Sequence, residues 1–252
     1  LIKTLFQSLK GTDWDMLTDF VSPVFFEVVP ALGMASAFAR IGKDFANKRQ
    51  FRQVADAVQQ RLAAPLEIKV AVDSGSPLEE PMLRPAAMSN AEKAAFGEMV
   101  LEIYFAQLCR CDVNILDLRT KAFTQSRQWS PSAIYYRWSP TFRDGIQKMY
   151  RGFYHDDAEL FLAGLRRLDL EHAADIFKTH FGAGSQDAVT FKLAEFKKSF
   201  HAIFLACKDH KTKLHPDFFA LGVYLVCLYE NLESLGVPMN VRRAFLKAEA
   251  IQ

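Results

Sequence analysis

Phe218-Phe219-Ala220-Leu221-Gly222-Val223-Tyr224-Leu225-Val226-Cys227-Leu228-Tyr229 is the longest uninterrupted apolar run in this chain. A helix that is apolar all round has no face to offer water, so it belongs at the centre of a bundle, and a run of this length is too short to cross a bilayer. His215-Pro216-Asp217 opens it. Just upstream, Val189, Leu193, Phe196, Phe200, Ile203 and Cys207 recur at steps of four, three, four, three and four, the clearest amphipathic helix of the chain.

Working outward, helix starts are marked by residues that satisfy free amides. Ser139-Pro140 predicts a helix to Tyr154, because serine accepts a bond from the first turn and proline there loses no hydrogen bond. His155-Asp156-Asp157 recaps the chain for a helix through Leu168, and Asp169 is expected to cap another that ends at Phe181-Gly182. Ser89 or Asn90 starts a long helix to about Arg110. Earlier helices are expected after Thr12 or Asp13, from about Ala31 to Ala46, and from about Lys48 to Leu62, ending before Pro65. A final short helix follows Pro238.

Two places switch to period two. Leu66 to Val72 alternates apolar and charged residues and reads as a half-buried strand. Leu116 and Leu118 alternate with Asp117 and Arg119, and Ile134, Tyr136 and Trp138 alternate with Tyr135 and Arg137, which predicts an antiparallel pair. Asp73 to Pro85, with Pro77, Pro81 and Pro85, is a loop or linker and the best candidate for a boundary or an entrance lid. The reading is therefore a mainly α fold, a helical bundle of about eight to ten helices with a small antiparallel insert of two or three strands. It is taken as a single domain, 1–252, divisible into an N-terminal helical part with a strand (1–72), the proline-rich loop (73–88) and the main helical part with the strand pair (89–252).

Half of the 252 residues are hydrophobic, which is enough to bury a substantial core. With 31 basic and 29 acidic residues the field of a dedicated nucleic-acid binder is missing. Lys192 to Lys213 is the best local basic stretch, and lysines so spaced ordinarily solvate an outer face. The four cysteines, at 109, 111, 207 and 227, read as reduced core thiols and point to a cytoplasmic location. Leu1 to Lys10 lacks the features of a signal peptide, and the absence of a leading Met implies a start inside a longer product.

Chemical motifs are sparse. No glycine-rich phosphate cradle, serine elbow, Cys-x-x-Cys or His-Glu-x-x-His occurs. Cys207, His210 and His215 come nearest to metal-ligand spacing, but Cys207 falls on the apolar stripe and His215 on a helix start, so the structural role has precedence. Glu98, Glu102, Glu195, Glu230 and Glu233 lack the Glu-x-x-His pairs of a helical di-iron site. Cys109-Arg110-Cys111 sits at a helix end, where the dipole disfavours a thiolate.

The order of a long helix, then Cys111-Asp112-Val113-Asn114-Ile115-Leu116-Asp117, then further helices resembles the catalytic-loop region of protein kinase-like folds, especially the atypical kinases linked to ubiquinone synthesis. No glycine-rich loop precedes a strand lysine and no Asp-Phe-Gly follows, so phosphate and magnesium lack their usual holders and kinase activity is not expected. Lys69, the one candidate nucleotide lysine, faces solvent on an alternating strand.

The densest functional candidate is the segment 129–154, where two Trp-Ser-Pro tripeptides are interleaved with tyrosines and arginines. Asp117, Arg119, Tyr135, Arg137, Trp138 and Arg143 form the expected ligand-binding set: guanidinium groups to fork an anionic head, and apolar walls, drawn from a chain with 22 phenylalanines, to take its tail. The competing reading is a cross-strand pair of Asp117 with Arg137 or Arg119, with the rings sealing sheet to helix. The expected function is a non-catalytic binding module for an apolar or amphiphilic anionic ligand or a partner protein. No nucleic acid and no membrane span are expected. The alternative is a helical enzyme with a metal or haem cofactor held by scattered His and Glu residues; no particular cofactor is indicated.

Overall fold

The computed structural model describes residues 23–30, 48–66, 70, 81–182 and 186–250. Their elements run α1 Pro23–Val28, α2 Lys48–Leu66, α3 Asn90–Arg110, β1 Val113–Ile115, β2 Tyr135–Arg137, α4 Pro140–Tyr154, α5 Ala158–Arg167, α6 Ala174–Phe181, α7 Leu193–Asp209, α8 Asp217–Leu235 and α9 Val241–Ala250. The mainly α architecture with a two-stranded antiparallel insert is the expected one. The helices expected after Thr12 or Asp13 and over 31–46 lie outside the described residues, as do Lys69 and most of the strand expected over Leu66 to Val72. Leu66 itself ends α2, which runs through Pro65, and Val70 makes a single bridge to Trp129.

The chain divides into two compact units. One comprises Leu1–Ala39, Ser139–Ala183 and Leu193–Val226; the other comprises Arg40–Trp138, Gly184–Lys192 and Cys227–Gln252. Helix α8 thus contributes its first half to one and its second half to the other. Among the described residues it is the helix long and apolar enough to cross a membrane by composition, yet 78% of its apolar window is buried within the protein.

In the first unit, α4 and α5 form a tight hairpin. Asp157 caps α5 by accepting from the Leu160 amide at 2.9 Å. Glycines let the two backbones touch: a Cβ on Gly152 would lie 2.1 Å from the Phe161 nitrogen, and one on Gly164 would lie 2.4 Å from the Met149 nitrogen. Ser139 caps α4 through the Phe142 amide, and its own amide donates to the buried Asp217 carboxylate at 2.8 Å, tying the start of α4 to the start of α8. Asp169 does not cap α6. It takes a left-handed φ of 58° at the end of α5, with Leu170 N–H bonded to Leu165 O at 2.9 Å and Asp169 N–H to Arg166 O at 3.1 Å. That is a Schellman closure, in a left-handed position usually given to glycine and occasionally taken by Asn or Asp, whose short polar side chains can bond locally. A 3-10 turn, Glu171–Ala173, then leads into α6.

Phenylalanines pack on one another through this unit, as in Phe25–Phe204, Phe200–Phe204 and Phe196–Phe200 at centroid distances of 5.1 to 5.2 Å. They leave a cavity of only about 10 Å³ beside Tyr150, His180 and Phe218, space for at most one water and not for an alkyl tail. Burial holds the His180 imidazole down to about 4.

In the second unit, Ser89 and Glu92 form a reciprocal capping box at the start of α3. Helix α3 packs on α9, with Glu98 paired to Arg243 and Glu102 to Lys247. Val189, expected on the stripe of α7, instead bridges Met239, and α7 begins only at Leu193.

Gly152→Ala should lower stability by about 3 kcal/mol, because the added methyl meets backbone rather than a yielding side chain. Gly222→Ala, whose methyl would meet the Phe200 ring at 3.3 Å, should stay within about 1 kcal/mol of the unsubstituted protein; urea denaturation of both variants decides. Because folded His180 stays neutral while the unfolded chain takes up a proton near 6.5, stability should be complete above that pH and fall as pH drops toward about 4. His172, also held low by burial and by His210, acts with the same sign. Urea midpoints of His180→Leu and of the unsubstituted protein between these pH values should therefore differ in slope, with the variant flatter.

Candidate functional site

Gln50, Gln53, Val54, Ala57, Val58 and Arg61 recur at the three- and four-residue spacing that places them on one face of α2. That face looks onto Cys111 and Asp112, where α3 ends, and onto Val113 of β1 with its register partner Arg137 of β2. Together these residues enclose a cleft of about 290 Å³. Two contacts hold α2 in place beside it. Phe51, buried on the same helix, stacks on Tyr135 with ring centroids 6.1 Å apart, and Arg61 Nη1 donates to the Arg110 carbonyl at 2.6 Å, satisfying a free carbonyl at the C-terminus of α3.

Val54, Ala57, Val58 and Val113 give the cleft an aliphatic wall, and Arg61 and Arg137 put two guanidinium groups on it against the single carboxylate of Asp112. Arg137 is exposed, and among the described residues its side chain has no hydrogen bond or ion pair. Arg61 has spent one donor on the Arg110 carbonyl. The arrangement can therefore offer forked donors to an anion beside apolar surface.

The six residues expected to bind ligand are dispersed. Arg137 lines the cleft, and Tyr135 lies behind it against Phe51. Trp138 is buried and packs on Tyr136 at 5.0 Å. Arg143 is half-buried on α4 and does not line the cleft. Asp117 and Arg119 are not on a strand. The first strand is Val113–Ile115 rather than Leu116 to Arg119, with Ile115 opposite Tyr135. Buried Gln107 of α3 meets the outer edge of β1, accepting from Ile115 N–H at 2.7 Å and donating to Ile115 O at 3.2 Å. Beyond it the Asp117 carboxylate turns the chain by accepting from the Arg119 amide, a local bond that competes with the ladder.

Asp117 and Arg119, 1% and 2% exposed, form a two-pronged pair: Arg119 Nε donates to Asp117 Oδ1 at 2.7 Å and Nη2 to Oδ2 at 2.8 Å. Ser132 N–H donates to Oδ2 at 2.9 Å, and the Trp129 indole N–H donates to the Asp117 carbonyl at 2.9 Å. Burial pushes the Asp117 carboxyl up, but the guanidinium and the Ser132 bonds outweigh it and hold the group below the ordinary carboxylate value. Glu230 accepts from Thr120 N–H at 3.0 Å; burial raises this carboxyl above its usual range despite that bond. Burial also pushes the Cys227 thiol far up, and the Cys207 thiol to about 11, so both stay protonated and unreactive. The sequence reading pairs Asp117 with Arg137 or Arg119 across the strands; the bond to Arg119 is made, but within one turn of chain beyond β1 and not across the strand pair.

Among the described residues no group of three or more His, Cys, Asp or Glu converges as a metal site would require. Sequence reasoning passed over the α2 face, whose signal was a stripe with glutamine and arginine at its ends and small aliphatic residues between. Neither a protein-family model nor a curated protein matches the chain.

Asp117→Ala should cost about 3 to 5 kcal/mol, since it strands a buried guanidinium. Replacing both partners, as Asp117→Leu with Arg119→Met, should cost clearly less than the sum of the two single changes, which a double-mutant cycle in urea measures directly.

Proposed function

We propose that this protein is a non-catalytic binding module that takes a small amphiphilic anion in the cleft between α2 and the strand pair. The observation that carries this reading is the Arg137 guanidinium, unpartnered among the described residues, at an aliphatic wall with Arg61 anchored on the same cleft. Arg119, buried, spends its fork on a carboxylate within the fold, whereas Arg137, exposed at the cleft, keeps its fork available to an external anion.

Size supports the same reading. The volume lies at the lower edge of the range for ligand pockets, which suits a small molecule better than a protein segment. Among the described residues the exposed large hydrophobics are three, Met82, Leu205 and Leu246, each on a different segment of the chain. The lysines of 192–213 are partly neutralised, Lys198 by Glu195 and Lys208 by Glu27, which weakens the stretch as an electrostatic footprint for nucleic acid.

The fluorescent anion 8-anilinonaphthalene-1-sulfonate provides a direct test. Its affinity should fall about tenfold in Arg137→Ala and in Arg61→Ala, the loss expected for one charge-assisted contact. Arg52→Ala, on the same helix but outside the cleft lining, should leave it unchanged. Equal affinity in all four proteins would remove the cleft as the binding site.

A further inference from the structure

We propose that the stacked pair His172 and His210 is a proton-sensitive latch, which fastens the turn between α5 and α6 to the end of α7 at neutral pH and releases it in acid. The latch lies in the first unit and is independent of the anion cleft, whose lining belongs to the second. Residues 168–174 close α5, form the 3-10 turn Glu171–Ala173 and enter α6, and the turn packs on α7. Leu168, Leu170 and Ala173 are buried, as are Cys207 and Leu214 at the end of α7 and just beyond it. Among the described residues no hydrogen bond or ion pair links 168–174 to 207–214. The polar side chains contribute a ring contact instead, His172 on His210, with centroids 4.5 Å apart and planes 25° from parallel. The joint is therefore apolar packing with two titratable rings at its edge.

Such a joint tolerates one proton at most. A proton on exposed His210 is solvated and rests on a neutral ring. The His172 Nε2, in contrast, is shut off from water and has no hydrogen-bond partner among the described residues, so a positive N–H there would be neither solvated nor paired. A second positive ring against the first adds like-charge repulsion. The neighbouring carboxylates do not absorb it. Glu171 is spent on Arg166, Asp144 on Lys148 and Arg167, and Asp175 on Lys178. On α7, Lys208 pairs with Glu27 and the Cys207 thiol stays protonated, while His180 of α6 turns to Phe181 and Phe196. Asp169, Asp209 and Lys211 are exposed and make no ion pair among the described residues. Burial, and after it His210, accordingly hold the His172 imidazole below its ordinary value. The closed contact is thus complete above about 6.5 and weakens as pH falls below it.

Hydrogen exchange of the full chain, read by mass spectrometry near pH 7 and about pH 5 and corrected for intrinsic rates, tests the latch. The bonded amides of Leu170, Ala173, His210 and Thr212 report on it. On acidification, protection over 168–174 and 207–214 should fall about tenfold more than protection of α4 in the same unit. That excess should vanish in His172→Phe with His210→Phe, which keeps a ring contact and removes both titrations, and should persist in His180→Leu. An excess unchanged in the double variant would overturn the latch, as would a fall in the unsubstituted protein no larger at the joint than in α4. Where the double variant does not fold, His210→Phe at its exposed position decides: it removes the repulsion between the rings, and an undiminished excess there overturns the latch as well.

Discussion

A guanidinium cannot be taken out of water without a partner of opposite charge and matched geometry, and Arg119 meets that demand inside its unit. Its fork closes on Asp117, whose remaining lone pairs take the Ser132 and Arg119 amides. The desolvation of both ions is then offset by several short bonds instead of one. Because those bonds reach from residue 117 to residue 132, the loop between the strands is closed on itself. Trp129 adds its indole bond to the Asp117 carbonyl, Asn231 donates to the Leu118 carbonyl at 2.7 Å, and Glu230 receives the Thr120 amide. The second half of α8 thereby holds the same loop. Strand β2, with Tyr135 and Arg137, leaves that loop from a defined place.

The cleft depends on that placement at one remove. Arg137 faces Val113 across the strand pair because Ile115 is set opposite Tyr135, and Ile115 is held on its other edge by Gln107. Helix α2 is brought to the pair by Phe51 on Tyr135 and by Arg61 on the end of α3. The two arginines of the chain that matter most here therefore have opposite duties. Arg119 is consumed by the fold, while Arg137, two residues from a buried tyrosine, is left to solvent and the cleft.

Local signals carried much of the architecture. Ser89 with Glu92, Ser139 with Pro140, and Asp157 each cap the helix expected from them, since a side-chain oxygen beside a free amide acts within three residues and needs no distant partner. Asp169 misleads for the same local reason: aspartate serves an N-cap or a left-handed helix end, and Leu170, buried against the end of α5, decided for the second. Alternation over Leu116 to Arg119 resembled a strand, yet Asp117 had a nearer use for its carboxylate in turning the chain. The α2 face was passed over because glutamines and arginines at helical spacing look like an ordinary solvated surface until something is set opposite them.

By itself the sequence determined the helical class, most helix starts, the burial of Phe218 to Leu228 and the presence of an antiparallel pair, all of which rest on periodicity and caps that act within a few residues. Only the tertiary structure decided which arginine is buried and which is left to the cleft, where the strand pair takes its register, and that the α2 stripe faces a cleft. Those outcomes turn on partners far apart in the chain, such as Val113 with Arg137, and Arg61 with the carbonyl of Arg110, 49 residues away. Charge pairing and desolvation are settled by distance in space, for which separation along the chain is no guide.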